Sequence, residues 1–210
     1  MLFRLTDEII FPKPSLADDD GLLAIGGDLS EERLLLAYQN GIFPWYSEEE
    51  PILWFSPHER FVIVPGEVKV SHSMRQQIKS AKYEIKWNTA FDEVITRCSG
   101  IRRKGQSGTW IHDDMKDAYT RLHNKKIAQS VEVWQGETLV GGLYGVVVGK
   151  VFCGESMFSK LPNTSKLALI ALCRSGKFEL IDCQVYTQHL QKMGAKFISR
   201  EEFMKTLKNN

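Results

Sequence analysis

The chain has 210 residues, 43% of them hydrophobic and 25% charged, which is typical of a globular protein with one full core and a small second domain. Its net charge of +1 excludes a protein coated in basic charge, so any contact with nucleic acid is expected to be local. No apolar run approaches the ~20 residues of a membrane span, and the N-terminus lacks a signal-peptide pattern. We therefore expect a cytoplasmic protein without membrane contact.

Cysteine and histidine spacing argues against a metal centre. The four cysteines have neither the C-x-x-C spacing of a metal site nor the density of a disulfide scaffold, and the five histidines supply no additional ligand spacing. We expect no metal and no cofactor, and we expect thiols that are reduced and mostly buried.

Residues 1–60 are rich in proline and glycine and predict a small N-terminal domain. Ser30 is placed to cap a short helix over 31–38, which Gly41 ends. The segments 42–46 and 52–55 that follow are dense in aromatic residues and are interpreted as a loop region. A tryptophan in such a proline-flanked loop is either part of a small core or a platform on which a base stacks.

Residues 61–210 predict a second domain in which strands and helices alternate, and hence an α+β fold with a mixed sheet. The predicted strands are 61–64, 83–87, 130–134, 138–148, 150–158, 178–185 and 196–199. The predicted helices are 73–81, 90–98, 113–124, 164–175 and 200–207. Glycines at 141, 142 and 145 lie inside one strand and predict bulges or a close backbone approach, as at a cleft through the sheet.

Two carboxylates lie inside apolar runs on predicted strands. Glu155 lies in the run 152–158, and Asp182 in the run 180–185. A carboxylate in such a place is costly to bury unless it is paired, so either both are satisfied structural groups or they are kept for chemistry. Gln184 follows Asp182 by two residues, which puts both side chains on one face of the predicted strand.

A row of cations marks the predicted helix 73–81. Arg75, Lys79 and Lys82 are spaced i, i+4, i+7, which places three positive charges on one helical face. Such a face is either a solvated outer surface or a contact for phosphates.

Nine short motifs occur in an order and spacing that resembles the bacterial leucyl/phenylalanyl-tRNA–protein transferases. They are residues 26–29, 38–45, 51–54, 108–111, 118–123, 139–145, 154–159, 165–166 and 181–184. The resemblance covers nearly the whole chain. Lys126, Gln129 and Thr164 depart from the family pattern, but none of them is proposed for chemistry.

The resemblance implies a small N-terminal domain joined to a domain of the GCN5-related acyltransferase fold. It implies an enzyme that moves Leu or Phe from aminoacyl-tRNA to proteins beginning with Arg or Lys, marking them for N-degron degradation. It also implies that Trp45 and Trp110 hold the 3′ adenosine, and that Tyr38 and Tyr119 line the same cleft. We expect a monomer.

The chemistry of this reaction suits the residues. An aminoacyl ester is an activated donor and an α-amine is partly neutral near pH 8, so holding the two in attack geometry supplies much of the rate. Gln184 can accept a hydrogen bond from the amine and donate one to Asp182, and the resemblance implies that this pair forms the catalytic relay. Glu155 is then the second carboxylate, facing either the adenosine or the basic side chain of the acceptor.

The apolar side chain of the donor requires a pocket. The candidates lie on the strands and the helix around the relay and are Phe152, Met157, Leu169, Leu172 and Ile181. Such a pocket discriminates by shape, so transfer of Leu, Phe and Met alike is expected.

Two other functions fit parts of the sequence. An acetyl-coenzyme A transferase requires a glycine-rich turn for pyrophosphate, but the corresponding residues 160–166 contain no glycine. A non-catalytic RNA-binding module accounts for the basic helix and the tryptophans but leaves Asp182 and Gln184 without a role.

Overall fold

The computed structural model describes residues 2–47, 49–101 and 111–208, which form two β-sheets. The smaller sheet has the order β1-β2-β4-β3 and consists of β1 (Phe3–Leu5), β2 (Leu22–Gly26), β3 (Phe43–Pro44) and β4 (Leu53–Phe55). The aromatic segments interpreted as loops therefore contain β3 and β4. They form strands because Trp54 is fully buried, and its indole nitrogen donates a 2.8 Å hydrogen bond to the carbonyl of Gly26 on β2.

The helix predicted before these strands is present as α1 (Glu31–Gln39). The hydroxyl of Ser30 accepts a hydrogen bond from the backbone nitrogen of Arg33, as an N-cap does. The helix is followed by Gly41 at φ +67°, where a Cβ atom would lie 2.8 Å from the sulfur of Met204. The positive φ favours glycine there, and a side chain would also displace the methionine sulfur.

The larger sheet has seven strands in the order β11-β5-β10-β9-β8-β7-β6. They are β5 (Glu59–Ile63), β6 (Glu84–Trp87), β7 (Ala128–Gln135), β8 (Thr138–Val148), β9 (Val151–Ser159), β10 (Leu180–Asp182) and β11 (Lys196–Ser199). Neighbouring strands are antiparallel except for β9 and β10, which run parallel. The sheet is mixed, and the predicted α+β class is confirmed.

Helices cover both faces of the larger sheet. They are α2 (His72–Lys79), α3 (Phe91–Ser99), α4 (Asp113–Asn124), α5 (Thr164–Arg174), α6 (Gln188–Lys192) and α7 (Arg200–Lys208). Because strand residues alternate between faces, Tyr144 joins the core under α3 and α4, while Leu143 joins the core under α5. In the described part of the chain, no helix combines the length and hydrophobicity needed to cross a membrane.

The structure differs most from the predicted elements at β10, α2 and α6. Strand β10 ends at Asp182 instead of 185, and α2 ends at Lys79 instead of 81, with Ala81 at φ +48° in the turn that follows. Helix α6 was not predicted. The division of the chain at residue 60 stays a prediction, although Glu59 and Arg60 already belong to β5 of the larger sheet.

A bulge in β9 is the irregularity that matters most for the site. Tyr144 pairs with Ser156 and Gly145 with Gly154, so Glu155 is the extra residue between them. A Cβ atom on Gly145 would lie 2.3 Å from the carbonyl oxygen of Cys153, so glycine is needed for this close approach. The bulge predicted from the glycines of β8 is confirmed, and it re-aims the side chain of Glu155.

Candidate active site

A cavity of ≈470 Å³ opens where the parallel strands β9 and β10 part. Their pairing reaches Cys153 and Asp182; β10 then ends, while β9 continues to Ser159. The wedge between them is lined on one side by residues of β9 and on the other by the segment after β10. The five residues predicted as an apolar pocket all line it: Phe152, Met157, Leu169, Leu172 and Ile181.

Glu155 lies at the polar side of this cavity and is 7% exposed. Its Oε1 accepts hydrogen bonds from the hydroxyl of Tyr38 at 2.8 Å and from Nε2 of Gln184 at 2.7 Å. Its Oε2 accepts a hydrogen bond from the hydroxyl of Tyr119 at 3.1 Å. Burial raises the pKa of the Glu155 carboxyl to about 7, and the three hydrogen bonds oppose that rise.

Tyr38 and Tyr119 do not line the cleft, so that prediction is wrong. Both are fully buried behind Glu155, with their hydroxyl oxygens 2.5 Å apart. Burial first, and the carboxylate of Glu155 second, raise the pKa of both phenols well above its usual value. They remain protonated donors that hold Glu155 in place.

Asp182 forms a buried ion pair that was not predicted from the sequence. Its Oδ2 accepts a hydrogen bond from Nη2 of Arg60 at 2.6 Å, and its Oδ1 accepts one from Nε at 3.2 Å. Asp182 and Arg60 are 0% and 1% exposed. The available signal was an arginine directly before the apolar run that begins at Phe61, where a buried cation needs a partner.

Gln184 is not on a strand, so the prediction that it shares a strand face with Asp182 is wrong. The chain leaves β10 after Asp182, and Gln184 has φ +61°. Its backbone nitrogen donates a 2.8 Å hydrogen bond to Oδ1 of Asp182, while its side-chain amide donates to Glu155. The predicted donation from the Gln184 side chain to Asp182 is therefore wrong. A carboxylate that accepts from the nitrogen two residues later makes an Asx-type turn, which redirects the chain there.

Of the two tryptophans predicted to hold an adenosine, Trp45 lines the cavity and is 38% exposed. Its ring lies 6.0 Å from that of Phe55. Trp110 lies outside the described residues.

The predicted row of cations is only partly on one helix. Arg75 and Lys79 are exposed on α2, but Lys82 follows the left-handed residue Ala81 beyond the helix end. The three-cation helical face is therefore wrong in its geometry, although all three side chains are exposed. Gln77 of α2 donates a 3.4 Å hydrogen bond to the carbonyl of Pro162, which places α2 beside the start of α5, the helix that walls the cavity.

Comparisons with known proteins agree across most of the chain. The family described as leucyl/phenylalanyl-tRNA protein transferase matches residues 62–208, and its N-terminal domain matches residues 27–58. A protein of Flavobacterium johnsoniae named leucyl/phenylalanyl-tRNA–protein transferase is 52% identical over 99% of this chain and 100% of its own length. One of Syntrophobacter fumaroxidans with the same name is 53% identical over 100% of this chain and 91% of its own.

Solved structures resemble the chain more distantly. A GCN5-related N-acetyltransferase from Kribbella flavida has a TM-score of 0.39 and 8% identity, over 77% of this chain and 58% of its own.

Proposed function

Because the chain belongs to the leucyl/phenylalanyl-tRNA protein transferase family of aminoacyltransferases, we propose that it transfers Leu, Phe or Met from aminoacyl-tRNA to the α-amine of proteins beginning with Arg or Lys. The observation that carries the proposal is the cavity between β9 and β10, which has an apolar wall and a carboxylate and an amide at its polar side. The acceptor's amine attacks the ester carbonyl and the ester C–O bond breaks as the peptide bond forms. The proton that the amine loses ends on the ribose oxygen, so tRNA leaves with a free hydroxyl.

The apolar wall supports the donor half of the proposal. Phe152 and Ile181 lie on the neighbouring strands β9 and β10, Met157 lies further along β9, and Leu169 and Leu172 project from α5. A pocket of branched and aromatic side chains rejects polar side chains but separates apolar ones by only about 1–3 kcal/mol per methylene. We therefore expect Leu, Phe and Met to be accepted together.

The hydrogen bonds of Gln184 support a role for its side chain in orienting the attacking amine. Its Nε2 is occupied by Glu155, so its Oε1 is the atom left to accept a hydrogen bond from the amine. A neutral amide cannot take the proton that the amine loses, but it orients the nitrogen lone pair toward the ester. Asp182 is the second residue that we assign to this relay, through its contact with the Gln184 backbone.

The surroundings of Glu155 support the assignment of an acceptor protein with a positively charged first residue. The charge of Asp182 is compensated by Arg60 at 2.6 Å, whereas the described partners of the cavity-lining carboxylate of Glu155 are hydroxyls and an amide. A buried anion surrounded by neutral groups favours a ligand that brings a positive charge, such as an N-terminal Arg or Lys.

Binding of tRNA is assigned to residues other than the five apolar ones that receive the donor side chain. We propose that Trp45 and Trp110 hold the 3′ adenosine and that Arg75, Lys79 and Lys82 contact phosphates. We further propose that the enzyme works as a monomer in the cytoplasm and that its products enter N-degron degradation.

The test is transfer of radiolabelled Leu from Leu-tRNA to a set of peptides that differ in their first residue. We expect label in the Arg and Lys peptides, and none in the same peptides with an acetylated N-terminus. Label in a Glu-initiated peptide at an equal rate would contradict the acceptor assignment. Binding of tRNA without any transfer would indicate an RNA-binding module, and acetylation from acetyl-coenzyme A would indicate the other acyltransferase class.

A further inference from the structure

Gln184 holds a backbone conformation that side-chain-bearing residues rarely adopt. At φ +61° it lies in the left-handed region, where glycine is the usual residue. Such conformations persist only where neighbouring groups hold them, and here the carboxylate of Asp182 accepts the Gln184 backbone N–H at 2.8 Å. The position of the Gln184 amide in the cavity therefore depends on where the Asp182 carboxylate lies.

The Asp182 carboxylate is in turn fixed by Arg60. Two guanidinium nitrogens donate to it, one to each oxygen, at 2.6 and 3.2 Å. The third, Nη1, donates to the carbonyl of Gly41 at 2.8 Å. The rings of Phe43 and Phe203 lie 4.8 and 4.6 Å from the central carbon of the guanidinium. These contacts hold the guanidinium from three parts of the chain: residues 41–43, Asp182 and Phe203.

We propose that Arg60 is a positioning residue for aminoacyl transfer: it holds Asp182, and through Asp182 it holds Gln184 where the attacking amine is oriented. The inference rests on the proposed function and deepens it. Arg60 is absent from the residues that line the cavity, so it acts through Asp182 and not on a substrate. A buried ion pair is weak evidence for stability, but a planar fork that fixes both carboxylate oxygens is what positioning requires.

Arg60→Lys is the informative variant, because lysine keeps the charge and loses the fork. We expect kcat for Leu transfer to fall about 10- to 100-fold, since small misplacements of a reacting group cost that much. The KM values for Leu-tRNA and for the Arg peptide should change less than about twofold, because neither Trp45 nor the five apolar residues proposed to bind the donor side chain are among the described contacts of Arg60. A variant that only loosened the fold would lower the melting temperature and the fraction of active molecules. The molecules that remained folded would keep the wild-type kcat as well as the wild-type KM.

Arg33→Lys is the matched control. Arg33 is also fully buried, pairs with Asp28 at 3.3 Å and donates to the carbonyl of Thr6, and these partners lie away from Gln184 in the smaller-sheet region of the chain. We expect it to lower the melting temperature and leave kcat within about twofold. A second comparison places Arg60→Lys in an Asp182→Ala background. If Arg60 acts through Asp182, adding Arg60→Lys to Asp182→Ala should lower kcat less than about twofold relative to Asp182→Ala alone.

Phe203→Leu covers the case in which Arg60→Lys does not fold. It loosens the guanidinium from the side of α7 without changing a cavity residue, and we expect a several-fold lower kcat at unchanged KM. Leu207→Ala, a buried residue one turn later, is its control. A wild-type kcat in folded Arg60→Lys, or in folded Phe203→Leu if Arg60→Lys does not fold, would overturn the inference. It would also be overturned if Arg60→Lys lowered kcat by the same factor in the Asp182→Ala background as in the wild type. Absence of transfer by the wild-type protein would instead refute the proposed function.

Discussion

Two carboxylates line the cavity, and their surroundings give them different properties. Asp182 faces a guanidinium, whereas Glu155 faces the phenols of Tyr38 and Tyr119 and the amide of Gln184. Burial dominates at Glu155 and raises the pKa of its carboxyl to about 7. Its charge state therefore changes near neutral pH.

The elevated pKa of Glu155 predicts a pH-dependent stability. In the unfolded chain this carboxyl titrates near its ordinary value of 4.5, so between 4.5 and about 7 the folded protein holds the extra proton. The free energy of unfolding must then fall as pH rises through that window. From pH 5 to pH 8 the loss due to Glu155 should be about 2–3 kcal/mol.

Urea denaturation at both pH values measures this effect. Glu155→Gln should remove the loss, and Glu137→Gln, at an exposed hairpin position, should leave it as in the wild type. A Glu155→Gln variant with the wild-type pH profile would contradict the assignment.

Residue types were easier to predict from sequence than their partners. Glu155 and Asp182 were identified as carboxylates in apolar runs, and the five apolar candidates on the strands and helix around them all line the cavity. The partner of Asp182 was not identified, because Arg60 lies 122 positions away and its burial depends on the packing of Phe43 and Phe203. Tyr38 and Tyr119 were placed in the cleft by the family resemblance, which does not distinguish a ring that lines a cavity from one buried behind it.

At the scale of elements, the site depends on how two strands end or bend. The bulge at Glu155 and the short β10 both interrupt regular pairing, and together they open the wedge that becomes the cavity. Propensity predicted that β10 continues to 185, three residues beyond its end at Asp182, since Cys183 and Val185 favour strands. The Asx-type turn of Asp182 overrides that preference with one side-chain hydrogen bond. In α2, the left-handed Ala81 similarly separates Lys82 from the helix.

Gly145→Ala tests the bulge. Its Cβ atom would lie 2.3 Å from the carbonyl oxygen of Cys153 and 2.6 Å from the ring of Phe152, so the strands must separate. We expect a loss of about 3 kcal/mol or more in the free energy of unfolding, together with lower transfer activity because Glu155 moves.

Gly66→Ala is the control for the bulge variant. Within the described residues, no atom beyond the neighbours of Gly66 in the chain lies within 4 Å of the place that its new methyl group would occupy. It should change the free energy of unfolding by less than about 0.5 kcal/mol. Equal stability of the two variants in chemical denaturation would refute the requirement for glycine at 145.

At the scale of the whole molecule, a net charge of +1 conceals two oppositely charged parts of unequal length. Residues 1–60 contain 12 acidic and 4 basic side chains, a formal charge of −8, while residues 61–210 contain 14 acidic and 23 basic ones, a charge of +9. The expectation of a purely local basic contact came from the total alone. This distribution of charge favours the approach of a polyanion to residues 61–210.

The exposed cations on and after α2 allow the proposed contact with tRNA to be tested. Neutralising Arg75, Lys79 and Lys82 together should weaken tRNA binding and flatten the slope of log affinity against log salt by about 0.7–0.9 per lost contact. Transfer from a short aminoacyl-adenosine, which has no distal phosphates, should be unchanged. Neutralising Lys205 and Lys208, exposed on α7, is the control and should alter the slope less. Equal losses on both donors would show that the segment supports the fold instead of binding phosphate.

The long-range contacts of Arg60 also constrain the order of events during synthesis. Asp182 emerges from the ribosome 122 residues after Arg60, which at about 5–20 residues per second is a delay of roughly 6–24 s. Throughout that interval the guanidinium has no carboxylate from Asp182, and Phe203 arrives later still. A nascent chain therefore cannot bury Arg60 in its final place without an unpaired charge. Arg60 should pack against Asp182 and Phe203 only near the end of translation. The newly made enzyme should therefore gain activity late and in a single step.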